Sequence, residues 1–470
     1  MRTLPGLLLL CAFAMESAAQ LPAGVERVLT GHGISPNDVS IVVQALGSSE
    51  PVLSHLPDVA RNPASVMKLV TTWSALEILG PAYTWPTEVY FDGSFDGRSL
   101  DGDLALKGYG DPFLVVEEVW KMLRVLRNLG LTEVLGDLVL DDSYFDMVED
   151  APDVFDGEPF RAYNVLPNAL LTNFKATRFQ FFADTNNRRV RISTDPPLSN
   201  LDIRNRIELV GGRCRGFQAG ISFNVADRDS ISRIIFEGEF PQRCNSYDLT
   251  RAVLQHDTYT YGLFDALWSE LGGQLEGGLR NEAVSEDARL VLTWRSPSLG
   301  DVIRLVNKNS NNVMTRQLLY TIGAESFEPP GTRAKGVAAI ERLLGKRGFA
   351  LDSLVVDNGA GLSRDARISA GLLTHLLLEA ERSVYAPEFI SSLSLGGLDG
   401  TTRTRFDGEN GEGRMHVKTG SLDRVSALAG YIHPPGGTTY ILVVLVNTDD
   451  AHRGPGQELE EAVVEWVYTL

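Results

Sequence analysis

The first chemically suggestive stretch is the S-x-x-K sequence formed by Ser65 and Lys68. Asn62 can cap a helix and Pro63 can occupy its first position, so we expect a helix that runs to Leu79. Ser65 and Lys68 then lie on one helix face, where the amine can reach the hydroxyl. A serine becomes a nucleophile when a base takes its proton, and a lysine with a lowered pKa can be that base. The pair predicts nucleophilic catalysis, although so short a motif also occurs by chance.

Two other short motifs could complete such a site. Ser310 and Asn312 form an S-x-N sequence, and a K-T-G sequence begins at Lys418. Taken singly, the first could be a polar loop between helices, and the second an edge-strand lysine before a bulge glycine. Their order and their contexts (a helix start, a helix–helix loop and a late strand) favour one active site over three coincidences. The elements expected around them are helices at 299–308 and 313–322 and a strand at 415–419.

The elements that must position these motifs come from both ends of the chain. Residues 39–46 and a short partner at 52–53 read as a hairpin, and residues 426–432 and 438–446 read as late strands before a helix at 458–467. They could form one antiparallel sheet covered by helices. Residues 88–287 are richer in Gly, Asp, Arg and short β-like runs. We therefore expect an α+β fold whose catalytic domain, 20–87 and 288–470, is interrupted by inserted β-rich domains at 88–287.

Composition excludes several classes of protein. The chain has 470 residues, a net charge of −18 and 22% charged residues, with 43% hydrophobic residues. This hydrophobic content is that of a folded protein, and the negative charge argues against nucleic-acid binding. The seven histidines show no ligand spacing, so neither a metal nor another cofactor is expected. No long apolar run follows the N-terminus, and we expect no membrane anchor in the mature protein.

The N-terminus reads as a secretory signal at residues 1–19. Arg2 precedes an apolar run, and Ser17 and Ala19 are small residues in front of a cleavage point at Gln20. The alternative, an uncleaved anchor, would need a longer apolar run. Secretion places the mature chain in an oxidising compartment, which we take to be the periplasm. The cysteines that remain after cleavage are then more consistent with a disulfide than with free thiols; they are Cys214 and Cys244.

Taken together, the three motifs resemble those of the penicillin-binding proteins and β-lactamases. The long gap between the first two motifs, at residues 65 and 310, is similar to that of the D-alanyl-D-alanine carboxypeptidase/endopeptidase family, the class C low-molecular-mass penicillin-binding proteins of the penicillin-binding protein 4 type. That family carries two inserted domains in the gap. Residues 63–69, 136–139, 142–145, 358–364 and 398–401 also resemble it, with Ala360 standing where a serine is expected.

The resemblance implies a penicillin-binding/β-lactamase-like fold and a role for each motif. Ser65 would attack the carbonyl between two terminal D-alanines, and Lys68 would take its proton. The charge of Lys418 would lower the pKa of Lys68. Ser310 would relay a proton to the leaving amine, and Asn312 would bind the substrate backbone and Lys68.

The same resemblance implies how the substrate is bound. Thr419, with Lys418, would hold the terminal carboxylate, and Gly420 and Ser421 continue this binding strand. The backbone N–H groups of Ser65 and Ser421 would form the oxyanion hole. The expected partners are peptidoglycan stem peptides, with β-lactams as inhibitors that acylate Ser65. A homodimer is allowed, but the sequence does not set the oligomeric state.

Three more residues are candidates for recognition of the stem-peptide side chain. Asp141 or Asp142 could bind the amino group of a diaminopimelate, and their alternation on a strand means that only one of them can serve. Arg364 could steer a carboxylate of the peptide. Each could equally be an ordinary solvated side chain.

Two other functions remain open from the sequence. A β-lactamase would hydrolyse the acyl-enzyme quickly, but the chain has no E-x-x-L-N motif of the kind that supplies the deacylating glutamate in class A enzymes. A non-catalytic scaffold of the cell wall would keep the fold without needing all three motifs.

Overall fold

The structure is a computed structural model that describes residues 21–147, 151–228, 231–406 and 412–470. The predicted signal sequence at 1–19 lies outside the described residues. Within those ranges, no helix combines the length and apolarity that a membrane crossing requires.

Helices and strands alternate in blocks along the described chain. The α-helices are α1 (Ala23–His32), α2 (Lys68–Leu79), α3 (Val116–Asn128), α4 (His256–Glu270), α5 (Leu299–Asn309), α6 (Asn312–Ser326), α7 (Arg333–Lys346), α8 (Ala370–Arg382), α9 (Ala386–Ser392) and α10 (Pro455–Val467). The strands are β1 (Val39–Ala45), β2 (Leu53–His55), β3 (Pro86–Phe95), β4 (Ser99–Gly108), β5 (Glu133–Val134), β6 (Leu138–Asp141), β7 (Thr177–Asp184), β8 (Arg189–Asp195), β9 (Leu201–Val210), β10 (Ser222–Arg228), β11 (Ile231–Pro241), β12 (Ser246–Arg251), β13 (Gln274–Leu275), β14 (Leu279–Asn281), β15 (Arg289–Arg295), β16 (Ser394–Leu395), β17 (Met415–Leu422), β18 (Val425–Ile432) and β19 (Tyr440–Asn447).

The two ends of the chain share one six-stranded antiparallel sheet, in the order β16-β17-β18-β19-β1-β2. This confirms the predicted hairpin and the predicted joining of early and late strands. Side chains alternate between two cores along β1, where Val42 packs with the α2, α5, α6 and α8 side and Ile41 and Val43 pack with α1 and α10. Because helices cover both faces, β18 and β19 are almost continuously buried.

The chain between α2 and α5 forms three further sheets. One has seven strands and includes β3, β4 and β15, and the others have three strands each, in the orders β10-β11-β9 and β12-β7-β8. Strands β3 and β15 are antiparallel neighbours, with Glu88 opposite Thr293, so the chain leaves and re-enters the catalytic part side by side. Strand β3 begins at Pro86, ahead of the predicted boundary at residue 88. The domain boundaries themselves stay a prediction.

Helices α3 and α4 were not predicted within this β-rich region. The buried residues of α3 recur at helical spacing at Val119, Met122, Leu123 and Leu126. They pack with β3, β4 and β6 in one hydrophobic core, and this burial explains why the segment is helical. The helical spacing of these apolar residues is visible in the sequence and could have predicted α3.

Helix α6 joins the inserted sheets to the catalytic part. Gln317 exchanges two hydrogen bonds with the backbone of Asn168, at 2.9 and 3.0 Å. Tyr320 and Ala324 pack on Phe145 and Ala169. The helix that begins at Asn312 is therefore held from the inserted side, and its position depends on both parts of the chain.

A disulfide joins Cys214 to Cys244, with the two Cα atoms 5.0 Å apart. Cys244 lies just ahead of β12, which pairs with β7. The crosslink therefore closes a loop within the inserted sheets.

Candidate active site

Ser65 lies in a tight turn rather than in the first turn of an α-helix. A 3-10 helix spans Ala64–Met67 and α2 starts at Lys68, so the prediction of an α-helix from Pro63 was wrong in its first turn. The side chain of Asn62 accepts a hydrogen bond from the backbone N–H of Ala64 at 2.9 Å, which is the expected cap in a different geometry. Ala64 has a φ of 45°, a conformation that an α-helical start does not allow. This turn presents Ser65 ahead of α2.

Lys68 is fully buried directly beside Ser65. Its Nζ lies 2.9 Å from Ser65 Oγ, 2.7 Å from Asn312 Oδ1 and 2.6 Å from the carbonyl oxygen of Ala360. The two carbonyl-type oxygens can only accept hydrogen bonds. A neutral amine has two N–H groups for them, which leaves its lone pair for the hydroxyl proton of Ser65.

Burial lowers the pKa of Lys68 well below its ordinary value, and the positive charges of Lys418 and Arg316 lower it further. Among the described residues, no carboxylate pairs with this amine. Because an unpaired charge is disfavoured in the interior, this environment favours the neutral amine. Lys68 is thus chemically suited to take a proton from Ser65.

The S-x-N motif is the short link between α5 and α6, as predicted. Ser310 ends α5 with a φ of 54°, and the side chain of Asn311 caps α6 by accepting from the N–H of Met314 at 3.0 Å. A positive φ at a serine is uncommon and often marks a functional site. The link places Ser310 next to Lys418, and Asn312 next to Lys68.

Lys418 is the second buried lysine. It has no exposed surface, and its Nζ donates to Ser310 Oγ at 2.9 Å and to the carbonyl of Thr419 at 2.8 Å. Burial lowers its pKa to about 7. An ammonium has three protons, so one remains for an incoming anion.

Gly420 allows strand β17 to lie against the Ser65 turn. A Cβ at this position would lie 2.4 Å from the carbonyl oxygen of Pro63 and 3.1 Å from the backbone nitrogen of Ser65. The glycine is therefore required by a close approach and is not an ordinary bulge residue. Ser421 follows on the same strand and is exposed, and Thr419 is half-buried beside it. The structure thus brings together the residues of all three motifs.

Asp141 and Asp142 are placed differently. The Asp141 carboxylate is fully buried, lies 3.2 Å from Lys107 Nζ, and accepts from the backbone N–H groups of Ser143 and Val284. Burial alone would raise the pKa of Asp141, but these hydrogen bonds outweigh it and lower the pKa. This carboxylate has no surface for a substrate. Asp142 is half-buried and accepts from Asn168 Nδ2 at 2.7 Å, so it is the candidate that remains of the two.

Arg364 lies at a cavity of about 290 Å³ that Leu362 and Ser363 also line. Its guanidinium stacks 4.9 Å from the ring centre of Phe155 and donates to the carbonyl of Asp423 at 3.3 Å. Arg316 and Arg333 also line this cavity. Asp357 and Asp365 line it as well, and Arg333 pairs with Asp357, so three guanidinium groups and two carboxylates share this cavity.

Residues 21–470 of this chain match the sequence profile of the D-Ala-D-Ala carboxypeptidase 3 (S13) family. The chain belongs to the S13 family. This confirms the family resemblance expected from the three motifs, and S13 membership gives the chain the family's activity class, that of a D-alanyl-D-alanine carboxypeptidase.

Individual relatives agree with S13 membership. The chain is 28% identical over 451 residues to a D-alanyl-D-alanine carboxypeptidase of Actinomadura sp. strain R39, covering 93% of this chain and 82% of that protein. Penicillin-binding protein 4 (dacB) from Haemophilus influenzae superposes with a TM-score of 0.78 at 20% identity, covering 94% and 99% of the two chains. The same protein complexed with a β-lactam gives a TM-score of 0.76 at 20% identity, covering 95% and 100%. These structures confirm the predicted penicillin-binding fold.

Two contributors to the site were missed from the sequence. The carbonyl of Ala360 binds Lys68, and Arg316 lowers the pKa of Lys68 while donating to the backbone carbonyl of Tyr163 at 2.8 Å. A backbone carbonyl has no signature in a sequence. Arg316 follows Asn312 by one helical turn on α6, and this i, i+4 spacing was the available signal.

Proposed function

We propose that the chain is a serine D,D-carboxypeptidase and D,D-endopeptidase that acts on peptidoglycan stem peptides through an acyl-enzyme at Ser65. The observation that carries the proposal is the environment of Lys68. Two carbonyl-type oxygens take its N–H groups, while Ser65 Oγ lies 2.9 Å away on the remaining side. A buried neutral amine in this arrangement is a general base aimed at one hydroxyl.

Acylation follows from this geometry. Ser65 Oγ bonds to the carbonyl carbon of the D-alanine before the scissile bond, and its proton passes to Lys68 Nζ. The backbone N–H groups of Ser65 and Ser421 would bind the oxyanion that develops. The C–N bond then breaks as the proton held by Lys68 passes to the leaving amine through the hydroxyl of Ser310, which leaves Lys68 neutral again. Water next attacks the ester carbonyl carbon and gives a proton to Lys68, and Lys68 returns it to Ser65 Oγ as the ester C–O bond breaks.

Lys418 and Thr419 would select substrates with a carboxylate next to the scissile bond. The free proton of the Lys418 ammonium and the hydroxyl of Thr419 can both donate to that anion. Penicillins also carry a carboxylate beside a reactive amide, which supports their role as inhibitors that acylate Ser65. The Haemophilus influenzae relative complexed with a β-lactam agrees with this expectation.

The inserted sheets would contribute recognition of the stem peptide. Asp142 lies at the end of β6 and is linked through Asn168 to Gln317 of the catalytic helix α6. Arg364 lines the cavity that Arg316 of α6 also lines. Together they offer an anionic and a cationic group for the zwitterionic end of a diaminopimelate side chain. We assign residues 88–287 to this inserted region and residues 20–87 and 288–470 to the catalytic domain.

The proposed compartment and assembly can be tested directly. Secretion to the periplasm predicts that the mature protein begins at Gln20, and N-terminal sequencing of the secreted form would show this. A homodimer predicts a molecular mass of twice the chain in light scattering, and a mass of one chain would exclude it.

Digestion of purified muropeptides, followed by mass spectrometry, tests the activity. The wild type should remove the terminal D-alanine from pentapeptides and split D-alanyl cross-links, whereas Ser65→Ala should do neither. Ser391→Ala, at an exposed serine whose hydroxyl donates to the carbonyl of Glu388, is the matched control and should retain activity. Folded wild-type protein that releases no D-alanine would favour the scaffold alternative, and rapid turnover of penicillin would favour a β-lactamase.

A further inference from the structure

An exposed pair of hydroxyl groups lies at the edge of the catalytic strand. Thr419 Oγ1 donates a hydrogen bond to Thr401 Oγ1 at 2.7 Å. Thr401 belongs to none of the three motifs and comes from the turn at residues 394–402. A hydrogen bond between exposed hydroxyls gains little by itself, because water can replace either partner. This hydrogen bond is therefore kept only if other contacts hold the turn that carries Thr401 in place.

The turn is fastened to strand β17, which carries Lys418 and Thr419. Within β16, Ser394 pairs with Val417 of β17, and the N–H of Gly396 donates to the carbonyl of Met415 at 3.2 Å. The buried hydroxyl of Thr402 donates back to the carbonyl of Leu395 at 3.0 Å. The turn therefore has little freedom to move Thr401 relative to β17.

An ion pair locks the centre of the turn to the helix that carries Ser310. Lys308, nearly buried at the end of α5, donates to the Asp399 carboxylate at 2.5 Å and to the carbonyl of Leu393 at 2.9 Å. The other carboxylate oxygen of Asp399 accepts from the N–H of Leu395 at 2.8 Å. Burial opposes ionisation of Asp399, but the bonds from Lys308 and Leu395 outweigh it and lower its pKa. The Asp399 carboxylate is thus held ionised and in place by these bonds.

Gly400 allows the turn to lie close to Ser394 and to the end of α5. It has a φ of 58°, and a Cβ there would lie 2.2 Å from Ser394 Oγ and 2.8 Å from the carbonyl oxygen of Lys308. Only glycine satisfies both the backbone conformation and this contact. Thr401 follows immediately and is directed at Thr419 from a fixed base.

We propose that Thr401 is a positioning residue for the terminal carboxylate of the substrate, acting through Thr419 and held by the Lys308–Asp399 pair. The inference rests on the proposed function, in which Thr419 binds that carboxylate. In the free enzyme, the Thr419 proton is directed at Thr401. When the carboxylate arrives, both hydroxyl groups rotate, so that Thr401 donates to Thr419 and Thr419 donates to the anion. No covalent bond changes, and Thr419 keeps an oriented hydroxyl throughout.

The test compares hydroxyl-retaining and hydroxyl-lacking variants at residue 401. Thr401→Val keeps the side-chain shape but cannot donate, and it should raise KM for a D-alanyl-D-alanine peptide about fivefold with kcat changed less than about twofold. Thr401→Ser keeps the hydroxyl and should remain within about twofold of the wild type in both constants. Thr404→Val is the matched control, since the exposed Thr404 side chain makes no hydrogen bond among the described residues, and it should leave KM unchanged.

Three results would overturn the proposal: an unchanged KM in Thr401→Val, a fall in kcat alone, or an equal loss in Thr401→Ser. Thr401→Ala, which adds no bulk, serves the same comparison if the valine variant does not fold. Asp399→Asn is avoided because it would leave the ammonium of Lys308 without its counter-ion. A wild type that cleaves no D-alanyl-D-alanine peptide would refute the proposed function instead, so the two failures are distinguishable.

Discussion

Two buried lysines dominate the site at the scale of single residues. Lys68 and Lys418 have no exposed surface, and among the described residues neither is paired with a carboxylate. Such burial favours the neutral form, and for Lys68 the positive charges of Lys418 and Arg316 add to this effect. One amine is therefore suited to act as a base, and the other can still bind an anion while it is charged. The sequence predicted which lysines take part, but not their burial, because the enclosing groups come from distant segments.

Arg316 offers a test of the electrostatic part of this account. Its positive charge lowers the pKa of Lys68, so Arg316→Gln should raise that pKa. A base is active in its neutral form, above its pKa, and the rising limb of the acylation rate against pH should therefore move to higher pH. The measurement is the second-order rate of labelling by fluorescent penicillin across the pH range.

Arg333→Gln is the matched control for the Arg316 variant. Arg333 lines the same cavity and pairs with Asp357, but it does not act on the pKa of Lys68. Its rising limb should coincide with that of the wild type. Coincident profiles for the Arg316 variant and the wild type would contradict the assignment of Lys68 as an electrostatically tuned base.

The titration of Lys418 predicts that substrate binding weakens as the pH rises, whereas the base activity of Lys68 increases with pH. The Lys418 pKa of about 7 means that the free ammonium loses its charge as the pH rises through neutrality. A cation lost from the carboxylate site should weaken substrate binding, so KM for a D-alanyl-D-alanine peptide should rise between about pH 6 and about pH 8. A constant KM over that interval, with melting temperatures showing an intact fold, would rule out Lys418 as the carboxylate ligand.

At the scale of elements, the site forms because strand β17 packs directly against the turn that carries Ser65. Gly420 leaves room for the carbonyl of Pro63, and Gly361, with a φ of 70°, leaves room for that of Ala64. The predicted strand and the predicted helix–loop–helix around Ser310 were confirmed because each has a strong local pattern. The 3-10 turn at Ser65 was not predictable, because these packing partners follow it by some hundreds of residues.

A methyl group at Gly420 should separate these two elements. Gly420→Ala would bring a Cβ to 2.4 Å from the carbonyl oxygen of Pro63, so β17 must shift away from Ser65. A displacement of this kind should reduce the rate of penicillin acylation about 100-fold. Gly436→Ala, at a glycine with open space around it, should acylate at the wild-type rate. Equal rates for the two variants would show that the close approach does not matter.

At the scale of the whole molecule, the inserted sheets have their own hydrophobic core and their own crosslink. The spacing of the motifs predicted a long β-rich insertion, and the structure has three sheets between α2 and α5. The contacts that hold α6 against the inserted sheets could not be predicted. Gln317 and Tyr320 contact residues that are distant in the sequence, and no local pattern connects the two segments.

The disulfide gives a prediction at this scale. Replacing Cys214 and Cys244 with serine should reduce the free energy of unfolding by about 3–4 kcal/mol, because the opened loop gains freedom in the unfolded chain. Calorimetry should show a lower melting temperature, and reductant added to the wild type should reproduce it. Neither cysteine contacts the motif residues, so penicillin labelling at 25 °C should persist. Unchanged melting of the serine variant would contradict a stabilising crosslink.

The central claim, a Ser65 acyl-enzyme formed with Lys68 as the base, is tested most directly by mass spectrometry of penicillin-treated protein. Intact protein should gain the mass of one penicillin, and peptide mapping should place that mass on Ser65. Ser65→Ala and Lys68→Met should gain none, while the control Ser391→Ala labels fully. Folded wild-type protein that gains no mass, or a label on another residue, would contradict the account.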